Sequence, residues 1–168
     1  MLGFSIAVLV VILLLAGCTE QKPVVKANDT VKVHYTAALA STGQVFESSL
    51  NGTPIEFVAG SNQVIPGFDA AVLGMSPGET KTVVVPAAQA YGPKRADLII
   101  TTPKTGALAD YVPQEGTVTY ITVTLPDGSK NRFPIIAAND TTVTVDMNHP
   151  LAGQDLNFTI QLVEIVKK

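Results

Sequence analysis

"NQVIPGFDAAVLGM", residues 62–75, sets two branched apolar residues, Val64 and Ile65, against a Pro-Gly break and then begins a helical rhythm. Phe68, Ala71, Val72 and Met75 fall at i, i+3, i+4 and i+7, one apolar face of a helix of about two turns. So short a helix persists only when it packs on something larger. Val64 and Ile65 occupy loop positions that usually carry polar residues, and they stand just before the helix start, where they would form the lip of a concave site.

Strand patterns surround this segment. From Thr30, Val31, Val33 and Tyr35 alternate with Lys32, His34 and Thr36, the period of a half-buried strand. Short strands are predicted at 45–47, after the turn "STGQ", and at 55–58, after "NGTP". Another follows "SPGET" at 81–85 and stops at Pro86. Near the C-terminus Leu156, Phe158, Ile160 and Leu162 alternate with Asn157, Thr159, Gln161 and Val163, which predicts a strand central in its sheet. Between these pieces, residues 97–146 have their own turns: strand patterns at 117–125, 132–137 and 142–145, with the hairpin signal Pro126-Asp127-Gly128-Ser129. The expected fold class is α+β, one antiparallel sheet wrapped around one short helix. Residues 30–96 and 147–168 supply it, and 97–146 form a small all-β insertion.

The N-terminus differs in character. Residues 2–17, "LGFSIAVLVVILLLAG", are uncharged and apolar, somewhat short of the roughly 20 residues that span a bilayer as a helix. They suit a signal-peptide core, and Leu15-Ala16-Gly17-Cys18 resembles the lipobox of exported lipoproteins, in which the cysteine carries a lipid. No Lys or Arg precedes the run, so an uncleaved membrane anchor stays open. On either reading residues 18–29 are a polar tether, and the folded part stands membrane-anchored on the extracytoplasmic face. Cys18 is the single cysteine of the 168 residues, which excludes an intrachain disulfide and a cysteine-based zinc site.

A net charge of −3 with no basic stripe argues against nucleic acid as a partner. Nucleophile elbows, Walker loops, dinucleotide fingerprints and zinc-protease motifs are missing, and no cofactor or metal is expected. His34 is expected to be a solvent-facing strand residue and His149 a loop residue. Any activity must therefore use little proton chemistry. What the chain offers instead is aromatic and branched residues beside loops, among them Tyr35, Phe46, Phe57, Phe68, Tyr91 and Phe158. After a strand, a phenol such as Tyr91 can bury its ring and keep its hydroxyl free.

"VKVHYTA", "GQVFESS", "PIEFVAGSNQVIPGFDAAVLGMSPGETKTVVVP", "AYG" and "LNFTIQLVEI" resemble, in order and spacing, the FKBP-type peptidyl-prolyl cis-trans isomerases. The β insertion directly after Tyr91-Gly92, and the rejoining "NHPLAGQDLNF", resemble the long SlyD-like group, whose insert-in-flap domain binds unfolded chains. The histidine- and cysteine-rich metal-binding tail of SlyD is not matched. The resemblance implies a proline pocket with Val64 and Ile65 as one wall, the Ile65 N–H donating to a substrate carbonyl and Phe68 as floor. It further implies Tyr35, Phe46, Glu47, Ile55 and Phe158 as lining, and a Tyr91 hydroxyl facing a substrate carbonyl. Phe68 stands where the family often has Trp, Glu47 where it often has Asp, and Ile55 where many members have an aromatic ring. The first two imply a smaller floor and a displaced carboxylate, which would weaken macrolide inhibitors and slow catalysis. The implied partners are unfolded or proline-containing polypeptides, met by a monomer. A non-catalytic holdase, in which the insert with exposed Tyr111 and Tyr120 does the work, is the alternative.

Overall fold

The computed structural model describes residues 22–124 and 128–166; the apolar run 2–17, Cys18 and the hairpin residues Pro126 and Asp127 lie outside them. Two alternating segments far apart in sequence form the spine of the first sheet. Strand β1 (Thr30–Leu39) pairs antiparallel with the last strand, β9 (Leu156–Val166), from Thr30 opposite Val166 to Leu39 opposite Leu156. The register slips between Lys32 and Val33, so that Val163 is left unpaired as a bulge and is exposed. β2 (Val45–Ser48) and β3 (Ile55–Val58) pair with opposite ends of β1, and β4 (Thr80–Val85) pairs with the far side of β9. β9 is thus interior to the sheet, as its alternation requires: Leu156, Ile160 and Leu162 are wholly buried.

Helix α1 (Pro66–Val72) crosses the concave face of this sheet. Pro66 sits where its missing N–H costs no helical bond, and the Ile65 carbonyl accepts the first two, from the N–H groups of Phe68 and Asp69. Phe68, Ala71 and Val72 enter the core beside Val31, Val33 and Phe57. The helix has the two turns expected but does not include Met75, the last residue of the apolar pattern. It ends at Val72, the chain turns at Gly74 (φ +79°), and Met75 reaches the core from beyond the helix, its carbonyl accepting Val25 N–H while Gly74 N–H donates to the Val25 carbonyl.

A second antiparallel sheet has the order β5 (Ile99–Pro103), β8 (Thr142–Asp146), β7 (Lys130–Ala138), β6 (Tyr120–Thr124). Its core is small: Ile135, Val143 and Val145, flanked by Tyr111, Phe133 and Met147. β5 is absent from the sequence reading because Thr and Pro dominate it; as an edge strand it carries Pro103 without breaking a ladder. β6 begins at Tyr120 rather than 117. Tyr111, expected exposed, is half-buried against the small core, while Tyr120 is exposed.

The chain passes between the sheets twice, and the two passages are zipped together. Gly153 N–H donates to the Gly92 carbonyl at 2.8 Å, and Met147 N–H to that of Leu98 at 2.9 Å. Buried Asn148 accepts from Arg95 N–H (2.8 Å) and donates back to the Arg95 carbonyl (3.0 Å). Asn148 also donates to Asp146, and Lys94 pairs with the same carboxylate at 3.1 Å. These hydrogen bonds, the Asn148 side chain first, hold the Asp146 carboxyl below its usual range despite burial.

Candidate active site

On its concave side the first sheet and α1 leave a cavity of about 490 Å³. Tyr35 reaches it from β1, Phe46 and Glu47 from β2, Ile55 from β3, Phe68 from α1 and Phe158 from β9. Val64 and Ile65 enter from the loop before α1, and Tyr91 from the corner after β4. All the residues singled out in the sequence as a pocket therefore line one space.

Phe68 forms the floor because three rings hold it. It meets Tyr35 edge-on at 5.6 Å and Phe158 edge-on at 5.3 Å between ring centroids, and Phe57 at 5.9 Å with tilted planes. Edge-to-face contacts of this kind favour one rotamer and add to the burial of the ring. Phe57 itself lies beneath the cavity as core rather than in its lining.

The Val64–Ile65 wall is pinned from below by a buried carboxylate. Asp69 accepts the N–H of Gly60 at 2.6 Å and of Asn62 at 2.9 Å, so that among the described residues its carboxyl is held by main-chain donors. Asn62 takes a left-handed φ of +56°, which turns the loop toward the helix. Gln63 accepts Val58 N–H at 2.9 Å and ties the same loop to the end of β3. Asn62 and Gln63 line the cavity as well, and sequence reasoning passed over them. Their one sequence signal is position, two amides directly before the apolar pair. The Ile65 carbonyl is used by the helix, whereas among the described residues no acceptor takes the Ile65 N–H, which is left as a donor at the cavity wall.

Tyr35 donates its hydroxyl hydrogen to Glu47 Oε1 at 2.6 Å. The additional methylene of Glu47 therefore does not cost this contact. Burial first, then the hydrogen bond and charge of Glu47, push the Tyr35 phenol up to about 12, so it stays neutral through the physiological range. Ser49 secures the pair: its hydroxyl accepts Tyr35 N–H at 2.9 Å, and its own N–H donates to the Tyr35 carbonyl. His34, expected to face solvent, is half-buried with Nδ1 3.0 Å from the Ser49 carbonyl, on the opposite side of β1 from the cavity lining.

Tyr91 stands on a corner made by a short 3-10 turn, Ala87–Gln89, and closed by Gly92 at φ +78°. Gly92 N–H donates to the Ala87 carbonyl, and Ala87 N–H to Asp155 at 2.8 Å. Among the described residues no hydrogen bond engages the Tyr91 hydroxyl. The cavity thus sets the Ile65 N–H and the Tyr91 O–H, neither of them engaged among the described residues, beside aromatic and branched side chains and the polar Glu47, Asn62 and Gln63.

The sequence model of the FKBP-type peptidyl-prolyl cis-trans isomerases matches residues 21–163. The chain belongs to this family. A short-type peptidyl-prolyl cis-trans isomerase of Methanocaldococcus jannaschii is 37% identical over 156 residues, covering 84% of this chain and 94% of the relative. The FKBP-type 16 kDa peptidyl-prolyl cis-trans isomerase of Escherichia coli K12 is 31% identical over 141 residues, covering 84% and 93%. An FK506-binding protein of Streptomyces anulatus is 45% identical over 75 residues, covering 44% and 60%. The protein is thus an FKBP-type peptidyl-prolyl isomerase acting on proline-containing polypeptides, which decides between catalyst and non-catalytic holdase.

For an FKBP-type isomerase the task is rotation about a peptide bond whose partial double bond sets a barrier of about 18–20 kcal/mol. Uncatalysed X-Pro rotation takes tens of seconds or more. No bond is made or broken, so no nucleophile is required. Removing water from the prolyl amide weakens the charge-separated resonance form that keeps it planar, and donors on flanking carbonyls can select the twisted geometry. A thousandfold acceleration asks for only about 4 kcal/mol of such differential binding.

Proposed function

We propose that the cavity between β1, α1 and Tyr91 is the seat of this isomerisation, and that the enzyme serves newly exported chains outside the cytoplasm. The supporting observation is that the Ile65 N–H and the Tyr91 hydroxyl, neither engaged among the described residues, border one space with an aromatic floor. The proline ring rests on Phe68 between Tyr35 and Phe158, the Ile65 N–H takes one flanking carbonyl and the Tyr91 hydroxyl the other. Val64 and Phe46 cover the twisting amide.

In this reading residues 30–96 and 147–168 are the isomerase unit, and 97–146 are a SlyD-like insert-in-flap unit that holds unfolded chains as a chaperone. The second sheet supports that role by its surface: Val118, Tyr120 and Ile136 are exposed and border a groove of about 710 Å³ that also takes in Phe133 and Pro134. An unfolded chain offers apolar side chains to such a surface and its prolines to the nearby cavity. Residues 2–17 and Cys18 tether the monomer to the membrane by a lipid or by the run itself; of the expected tether 18–29 only the part before Val25 serves as spacer, since Val25 is buried in the first core and Asn28 and Asp29 bond to Ala59.

The test uses the full chain with Val118, Tyr120 and Ile136 all changed to Ser, substitutions at exposed positions that spare both cores. Short X-Pro peptides should isomerise at the unaltered rate, while suppression of aggregation of an unfolded protein falls severalfold. Equal suppression by both forms would refute the chaperone role. For the tether, Cys18→Ser should release the protein from membranes if a lipid holds it and leave it bound if the apolar run does; a soluble unaltered chain would refute anchoring.

A further inference from the structure

Tyr91 and His149 come from the two separate passages between the sheets, yet their rings lie face to face, 4.0 Å between centroids and 3° from parallel. The imidazole is itself held. Leu151 N–H donates to His149 Nδ1 at 3.1 Å, which makes Nδ1 an acceptor and places the proton of the neutral ring on Nε2. Ala152 N–H donates to the His149 carbonyl, and the adjacent Asn148 is locked to Arg95 in both directions. The ring thus stands on a fixed turn, whereas Tyr91 stands on a corner with a free hydroxyl. The single described ring contact of Tyr91 is this stack. A phenol on such a corner can swing about its χ angles, and a plate along one face confines it.

We infer that His149 is a positioning residue for the isomerisation: its ring, aligned by the 148–153 turn, holds Tyr91 at the mouth of the cavity with the hydroxyl aimed inward. The inference rests on the cavity reading above. It assigns a role in the reaction to a side chain outside the cavity lining, which touches no substrate in the pocket and acts through Tyr91. The same imidazole borders the groove of the second sheet, so the plate behind Tyr91 is also a wall of the surface proposed to hold unfolded chains. His149 is exposed, and the residues that carry the turn are its neighbours, so its replacement leaves both cores in place.

The experiment measures kcat and KM for a short X-Pro peptide with the full chain and with His149→Ala, His149→Phe, His149→Asn, Tyr91→Ala and the Tyr91→Ala/His149→Ala double variant. His149→Ala should lower kcat/KM by about three- to tenfold, the range of one aromatic stacking contact. His149→Phe, which keeps a plate but offers no acceptor to Leu151, should restore most of the rate. His149→Asn, which keeps an acceptor but no ring, should not. In the Tyr91→Ala background, His149→Ala should cost nothing further. Rescue by Asn but not by Phe would make His149 a brace for its own turn and overturn the inference, as would an equal loss in both backgrounds. Unaltered activity of His149→Ala beside an impaired Tyr91→Ala would overturn it while sparing the cavity reading. Unaltered activity of Tyr91→Ala would overturn both.

Discussion

The Tyr35 hydroxyl donates to Glu47 Oε1 at 2.6 Å, across the β1–β2 pair and at the rim of the cavity. Because the folded value of the phenol is raised from 10.0 to about 12, the fold favours the protonated form. Stability from this pair is complete below about pH 10 and is lost as pH rises through about 12. Tyrosinate absorbance of the unaltered protein minus that of Tyr35→Phe should reveal one phenol ionising near pH 12. A difference centred at 10.0 would mean that the contact does not hold in solution. Tyr35→Phe should also lower kcat/KM by about three- to tenfold, consistent with loss of one hydrogen bond of ~1 kcal/mol that orients the lining.

Asp69 acts on the wall rather than on the substrate. Asp69→Ala strands the N–H groups of Gly60 and Asn62 and should cost about 2–4 kcal/mol, read from the urea midpoint at constant m. Since the loop it pins carries Val64 and Ile65, KM for an X-Pro peptide should rise more than kcat falls. Asp69→Asn retains one acceptor oxygen and should be intermediate on both measures. Unchanged KM in a folded Asp69→Ala protein would show that the wall holds its shape without the carboxylate.

Legibility in the sequence followed the physics of each element. β1 and β9 could be read because one buried face imposes strict alternation, and β9 declared its interior place by the run from Leu156 to Leu162. The end of α1 could not, because Met75 keeps the helical spacing while reaching the core from beyond the helix, after the turn at Gly74. β5 was hidden since an edge strand needs no apolar face and tolerates Pro103. The apolar members of the cavity were readable as side chains out of place in loops. Asn62 and Gln63 were not, since their work lies in main-chain geometry and in hydrogen bonds that local patterns do not encode. The Tyr91–His149 stack escaped for a related reason: it joins two passages whose proximity exists only once both sheets are built.

Gly67 is required by a close approach. A Cβ at this position would run into Val85 Cγ1 on β4, with Cγ2 also only 3.0 Å away. Val85 is fully buried and β-branched, so it has little freedom to yield. Gly67→Ala should therefore destabilise by about 1–3 kcal/mol even though alanine favours helix, because overpacking outweighs propensity. Lifting α1 from β4 also displaces Phe68 and Ile65, so activity should fall in the folded fraction. The check is a thermal melt beside peptide kinetics. Stabilisation of Gly67→Ala would mean that α1 sits farther from β4 than its contacts require.

Phe68 joins stability to catalysis in one ring. It is almost wholly buried and meets Tyr35, Phe57 and Phe158, so Phe68→Ala should cost about 3–5 kcal/mol through lost burial and the cavity left behind. Phe68→Leu keeps most of the volume and should cost less, about 1–2 kcal/mol, because chiefly the ring contacts are lost. The two variants separate the roles of the ring. If the floor acts by excluding water from the prolyl amide, Phe68→Leu, still apolar and nearly as large, should keep most of kcat. If a flat aromatic face is needed to seat the proline ring, Phe68→Leu should lose about tenfold in kcat/KM while remaining folded. The near-perpendicular packing of Tyr35 and Phe158 against Phe68 favours the second outcome, since those contacts orient a face and a leucine has none to orient. Circular dichroism beside peptide kinetics on Phe68→Leu decides it, and a folded variant with undiminished kcat/KM would leave water exclusion as the whole contribution of the floor.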